Sequence, residues 1–324
     1  MREESAERRG WRRLASGLRR GGAAGAAGAA GAAGAAGTPR RTSWFSRVVG
    51  ILFVLTSIWS VLIEPRWVAR RDIDHTLPGW RGAEGLKVAV ASDWHLTNQP
   101  LWRVMTVDRA RDIVAEINAA QPDLILLPGD FIAQHDVHGA AQEEVLEELL
   151  EPLAALKARL GVYAVLGNHD WWLDGDAVRA ALERHGVRVL ENEAVPIPGA
   201  GLWLGGVGDD LTLHADPLKT LAAIPPDAHV LLMMHDPGSF MGLPSLRGLA
   251  LAGHTHGGQV YVPFYGAFTL PSVAPREWAY GWVHQGSDTM YVTSGLGVSI
   301  LPVRLNMRPE WVVFTFRQEA EVSR

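Results

Sequence analysis

The hydrophobic positions of the chain follow two different rules. Residues 48–63 form an unbroken apolar block, 16 residues with no charge among them. As a helix the block reaches about 24 Å, short of the roughly 30 Å hydrocarbon core of a bilayer. Trp44 and Phe45 extend it to spanning length if Arg47 snorkels toward the headgroups, and Trp44, Trp59 and Trp67 suit the interfaces. A cleaved signal peptide needs a small-residue exit. Here the exit is Glu64-Pro65-Arg66-Trp67, so the pattern predicts a retained anchor helix over 44–68.

From Leu86 onward the rule changes to short apolar runs that stop at His, Asp, Asn or Gly. Residues 87–92, 123–127 and 162–166 read as buried strands, followed later by 187–190, 201–207, 229–234, 249–252, 290–293 and 311–316. Helical spacing appears at 107–119, at 141–160 with an acidic solvent face, from a cap at Asp174 through His185, and at 215–223. Strand–helix alternation, then a strand-richer half, predicts an α/β layered fold with at least one largely parallel sheet. No linker interrupts 86–318, which is expected to be one catalytic domain. Residues 69–85 are expected to be a stalk and 319–324 a tail.

Composition sharpens this picture. The chain has 324 residues, 48% of them hydrophobic, and no Cys, which suffices for a real core and excludes disulfide or thiolate-metal scaffolds. The 30 basic and 35 acidic side chains are unevenly placed: residues 1–85 carry 14 Arg and 7 carboxylates (+7), residues 86–324 carry 16 and 28 (−12). Residues 1–43 hold an Arg-rich stretch and a Gly-Ala-Ala repeat that cannot build a core, so they read as a flexible arm. Ten Arg precede the apolar block, which favours a single-pass inner-membrane protein with its body exported. The acidic body argues against nucleic acid as a partner, and nothing in the sequence calls for an obligate protein partner.

The candidate chemistry lies where predicted strands stop. Asp93 and His95, then Asp130, then Asn168, then His235, then His254 and His256 each fall in the first turn after an apolar run. Singly, an Asp there is an ordinary turn former and a His an ordinary hydrogen-bonding residue. Five such places in succession, all with nitrogen or oxygen donors, point to the carboxyl edge of a sheet, where α/β folds bind ligands. The donor types suit Mn, Fe or Zn, and seven are too many for one tetrahedral ion but right for two ions sharing a carboxylate.

The succession Asp-x-His (93–95), Gly-Asp (129–130), Gly-Asn-His-Asp (167–170), His235 and Gly-His-x-His (253–256) resembles the calcineurin-like metallophosphoesterases. The longer string Gly-His-Thr-His-Gly-Gly-Gln-Val (253–260), the anchor and Gly-Leu-Gly at 295–297 resemble the membrane-associated bacterial YkuE/YaeI branch. The resemblance spans about residues 86–318. It implies a four-layer α-β-β-α sandwich and two divalent ions, one held by Asp93, His95 and His256, the other by Asn168, His235 and His254, with Asp130 bridging. It further implies hydrolysis of a phosphodiester by a metal-bridging hydroxide, with His169 as general acid or phosphoryl donor and Asp170 orienting it. Pyrophosphate cleavage of a nucleotide-activated lipid sugar is the alternative within the family, and an inactive membrane-anchored binding module the alternative outside it. An amidohydrolase-like centre would place His-x-His near the first strand, whereas here it comes late. Trp94, Trp171 and Trp172 flank the motifs and are expected at the pocket mouth, where they suit a lipid or lipid-linked cell-envelope phosphoester.

Overall fold

The computed structural model describes residues 43–82, 84–99, 104–133 and 141–318. The arm before Ser43 and the tail 319–324 lie outside the described residues. The chain divides into residues 1–47 and a compact unit of residues 48–324. Helix α1 (Trp44–Ile58) continues through one π turn (Trp59–Ile63) and a 3-10 turn (Glu64–Arg66). The 23 residues Trp44–Arg66 are long and apolar enough to cross a membrane.

Two six-stranded sheets make up the body. The first contains β1 (Ala69–Thr76), β2 (Lys87–Val90), β3 (Leu124–Pro128), β4 (Val162–Val165), β5 (Arg188–Val189) and β14 (Glu310–Arg317), in the order β1-β14-β2-β3-β4-β5. The second contains β6 (Glu193–Ile197), β7 (Leu202–Gly206), β8 (Val230–Met233), β9 (Gly248–Ala252), β12 (Gly281–Gln285) and β13 (Asp288–Val292), ordered β12-β13-β9-β8-β7-β6. Strands β2 to β5 run parallel in one sheet and β7, β8, β9 and β13 in the other, with antiparallel pairs confined to β14–β2, β12–β13 and β6–β7. A small hairpin, β10 (Tyr261–Val262) and β11 (Gly266–Ala267), stands apart from both.

Side-chain alternation explains the layering. Val88, Val90, Leu124 and Leu126 face Leu231, Met233, Leu249 and Leu251 across the gap between the sheets. The intervening Ala89, Ile125 and Leu127 pack against α2 (Val107–Ala119), α3 (Ala141–Leu150) and α4 (Asn168–Arg184). Val230, Leu232 and Ala250 face outward beneath Phe240, Leu221 and Trp278, on the side of α5 (Pro217–Ala222). Strands covered on both faces read as continuous apolar runs, which makes them legible in the sequence. The result is the four-layer α-β-β-α sandwich.

Two expectations change. Where a stalk is expected at 69–85, Ala69–Thr76 is a strand paired in parallel with β14, so this part of the segment belongs to the sheet. Its mostly exposed, charged sequence hides that pairing. Helix α3 ends at Leu150 and passes into a 3-10 turn, because Pro152 cannot continue the hydrogen-bond ladder that the predicted span 141–160 requires.

Candidate metal centre

Strands β2, β3 and β4 of one sheet and β8 and β9 of the other end at a common edge, and each delivers its polar residues there. The backbone at these residues is unusual. Asp93, His95, Asp130, His254 and His256 all have φ between 45° and 66°, the left-handed region that side chains with a Cβ seldom adopt. Such strain persists where the surroundings over-determine it. Gly167 and Gly295 show how close the chain passes: an added Cβ would stand 2.3 Å from Asp130 Oδ1 in one case and 2.6 Å from Asp93 Cβ in the other.

All seven predicted donors converge, and all are buried. Asp130 Oδ2 lies 3.4 Å from His95 Nε2 and 3.2 Å from His235 Nε2, while its Oδ1 accepts the His169 amide at 2.9 Å. On one side His95 Nε2 and His256 Nε2 are 3.0 Å apart, and Asp93 Oδ1 is 3.6 Å from His256. On the other, His235 Nε2 is 3.2 Å from both Asn168 Oδ1 and His254 Nδ1. Two groups that could hold a metal ion therefore form, Asp93/His95/Asp130/His256 and Asp130/His235/His254, and Asp130 belongs to both.

The donor chemistry fits cations. His235 Nδ1 donates to Pro128 O (2.8 Å) and His254 Nε2 to Pro271 O (2.7 Å), which fixes each ring with its other nitrogen facing the cluster. The other group is less committed: His95 Nδ1 is buried with no hydrogen-bond partner among the described residues, and His256 Nδ1 faces Arg304 Nη2 at 3.3 Å. Burial, reinforced by neighbouring cationic groups, holds His95 and His256 well below the usual imidazole range, which favours the neutral form of both rings. Burial opposes charge on His235, but Asp130 and Asp93 lift it well above that range. Burial likewise works against an ionised Asp130, yet His235, His169 and His95 hold it well below the ordinary carboxylate value.

Three expectations are corrected. Asp170 does not orient His169: its Oδ1 accepts from the amides of Phe131 and Ile132, and its Oδ2 from Gly167, locking the turns after β3 and β4 together. Burial and the charge of Asp130 push its pKa up to about 8. Trp94 is not at the mouth; it is fully buried, with Nε1 donating to Ala91 O. Trp171 stacks on His214 at 3.6 Å and does not line the cavity. Trp172 does line it, half exposed, 5.0 Å from the His169 ring. His169 itself lies 4.6 Å from the His95 ring, its Nε2 3.3 Å from Ser299 Oγ.

Sequence reasoning passes over Arg304 and Ser299, which arrive from the loop before β14. No strand end or motif marks them. The cavity over the cluster has a volume of 440 Å³, and Leu211, Leu270, Pro271, Ile300 and Leu301 join Trp172 in its wall.

Residues 86–258 match the calcineurin-like phosphoesterase family over more than half of the chain. The chain belongs to that family. It is 30% identical to the metallophosphoesterase YkuE of Bacillus subtilis (strain 168) over 263 residues, 79% of this chain and 87% of that protein. It is 31% identical to the phosphodiesterase YaeI of Escherichia coli (strain K12) over 254 residues, 76% and 87% of the two chains. A transmembrane protein with a metallophosphoesterase domain from Bos taurus is 29% identical over 260 residues, 73% of this chain and 53% of that one. This calcineurin-like protein is accordingly a metal-dependent phosphoester hydrolase.

Proposed function

We propose that the chain is a membrane-tethered, dinuclear phosphodiesterase whose substrate carries an apolar group, as a lipid or cell-envelope phosphodiester does. The observation that carries the reading is the single carboxylate oxygen, Asp130 Oδ2, set between two groups of donors beneath a largely apolar cavity. Asp93, His95 and His256 would hold one divalent ion and Asn168, His235 and His254 the other, with Asp130 between them. Mn, Fe and Zn all suit these donors. When bound, such a pair supplies activated water and neutralises phosphoryl charge.

The chain's own residues supply the rest. His169 stands beside the cluster with its amide fixed by Asp130, in reach of the proton that a leaving oxygen needs. Ser299 holds the outer nitrogen of that ring. Among the described residues lining the cavity none is Lys or Arg, so beyond the ions these offer no cation to a second phosphate. That favours a singly charged diester over a pyrophosphate. The wall of Leu, Ile, Pro and Trp excludes water and accepts an apolar substituent.

Helix α1 leaves its apolar side chains exposed, which supports a single membrane span, and the Arg-rich arm supports export of the body. The test is to assay full-length protein, loaded with Mn, Zn or Fe, on a diester, a monoester and a pyrophosphate. Diester turnover with about two ions per chain is expected. Preferred pyrophosphate cleavage would reverse the substrate assignment, and a metal-free, inert protein would remove the catalytic one.

A further inference from the structure

We propose that the turn tips bearing Phe264 and Ile300, with Tyr265, Phe268 and Leu301 beside them, are a second membrane-contacting surface that turns the mouth of the site toward lipid headgroups. This rests on the reading of α1 as a membrane span and deepens it: substrate would enter from the plane of the bilayer.

The first ground is chemical. Residues 259–274 and 289–303 carry no charge at all, although the body containing them has a balance of −12. Single exposed apolar residues are ordinary, but a contiguous set marks an interaction surface. Phe264 is fully exposed and Ile300 is 81% exposed; Phe268, Tyr265 and Leu301 are each more than half exposed. The second ground is conformational. Phe264 has φ 69° and Ile300 has φ 60°, at positions where Gly or Asn would be the relaxed choice. Bulky apolar residues held in that conformation and pointed into water gain nothing from folding, so their use lies outside the folded body.

The occupant follows from continuity with α1. The hairpin and the Ile300 loop are bound together: Val260 bridges Leu305, Tyr261 N donates to Leu305 O at 2.9 Å, and Gln259 Nε2 donates to Leu301 O at 3.2 Å. The same loop grips the end of the apolar helix, Arg304 N donating to Ser60 O at 2.9 Å and Met307 N to Glu64 Oε1 at 2.6 Å. At that junction Arg308 lies 3.8 Å over the Trp67 ring, which meets Trp59 edge-on at 5.8 Å, and Arg276 lies 4.7 Å over Tyr265. Tryptophan, tyrosine and arginine in such pairs are the residues of the headgroup region. Ile300 and Leu301 also line the cavity, so the surface and the mouth share residues.

Because the chain has no Cys, single cysteines can report on this directly. Nitroxide labels on Phe264→Cys and Ile300→Cys, in full-length protein with one chain per lipid nanodisc, are expected to collide readily with oxygen and poorly with a water-soluble nickel chelate. A label on the comparably exposed Leu218→Cys should show the opposite. Phe264→Asp should restore nickel access to the label at position 300, and Phe264→Asp in the otherwise unaltered chain should leave turnover of a soluble diester unchanged. Equal nickel access at 218, 264 and 300 would overturn the proposal. So would dipolar coupling between labels at 264 in discs holding two chains, which would make this a contact between copies. Diester hydrolysis by the unlabelled parent in the same kind of disc separates the two readings: immersed labels with an inert parent would refute the phosphodiesterase assignment alone, and an active parent with exposed labels would refute only the surface.

Discussion

Replacing Arg304 tests whether one buried cation organises half of the metal centre. The side chain has no exposed surface. Its Nε and Nη2 donate to Gly297 O at 3.1 and 2.7 Å, Nη2 also to Ser294 O at 2.7 Å and Gly295 O at 3.2 Å, and Nη1 to Met307 O at 3.2 Å. Burial pulls its pKa down to about 10, with Asp93 and Glu310 opposing, so it stays charged at neutral pH. In Arg304→Met, Gly295 O keeps a partner in the Glu310 amide, but Ser294, Gly297 and Met307 lose the donor described here. Three dry carbonyls at about 1–3 kcal/mol each outweigh what is regained by not burying a guanidinium. We expect a loss of about 4 kcal/mol for Arg304→Met, and about half that for Arg304→Lys, which keeps the charge but not the planar fork.

The assay is urea unfolding followed by Trp fluorescence, paired with calorimetric metal titration. Gly297 N donates to Asp93 O, and Gly295 has no room for a side chain against Asp93, so a loosened 294–297 turn releases Asp93 and His256 first. Metal affinity should fall at the Asp93/His95/His256 group and hold at Asn168/His235/His254. If Arg304→Met lies within about 1 kcal/mol of the parent, the carbonyls have found water and the reasoning fails.

Other predictions follow from the same geometry. Asp130→Asn should remove both ions, read by elemental analysis; a variant retaining one ion would end the bridging assignment. His169→Gln should lower turnover by about 10²–10⁴ with metal content unchanged, whereas joint loss of metal would make it a structural residue. Glu191, half-buried with Oε1 accepting from Leu166 N, has its pKa raised to about 7, chiefly by desolvation. Because its folded pKa is the higher one, the folded state binds the proton more tightly and stability falls as pH rises from about 4.5 to 7. Glu191→Gln should therefore flatten that dependence and add about 1–3 kcal/mol at pH 8; an unchanged pH–stability curve would show the carboxylate to be solvated.

What can be read from the sequence and what cannot divide along a physical line. Residues 88–90, 124–128, 230–233 and 249–252 are buried on both faces, and their apolar runs announce strands without help from tertiary contacts. The donors follow those runs immediately, so the order of residues alone assigns Asp93, Asp130, Asn168, His235 and His254 to one edge. Strand β1 fails the same test because Arg70, Asp72 and Asp74 ride its exposed side, Arg71 on the other side reaches Glu310, and only pairing with β14 makes it a strand. Two of the three aromatics, Trp94 and Trp171, fail for another reason: adjacency in sequence says nothing about which side of a turn a ring takes. After the left-handed Asp93, Trp94 is directed into the core while His95 reaches the cluster, and Trp172 rather than Trp171 meets the cavity.

The residues missed altogether share one property. Arg304, Ser299 and Glu64 act through contacts with residues dozens to hundreds of positions away: Arg304 with His256, Ser299 with His169, Glu64 with the Met307 amide. A buried Arg and a buried Glu look, in sequence, like any solvated charge. Their burial has a functional consequence that no motif states. Glu64 closes the apolar helix and Arg304 abuts a metal-group imidazole, and both are held by the 304–307 stretch. The helix end is therefore built into the support of the catalytic edge. A truncation beginning after Trp67 should remove that support as well as the tether, with metal affinity at the Asp93/His95/His256 group weakening in detergent solution, where no bilayer is present. Parent-like affinity in that truncation would show that the helix end lends the edge no support.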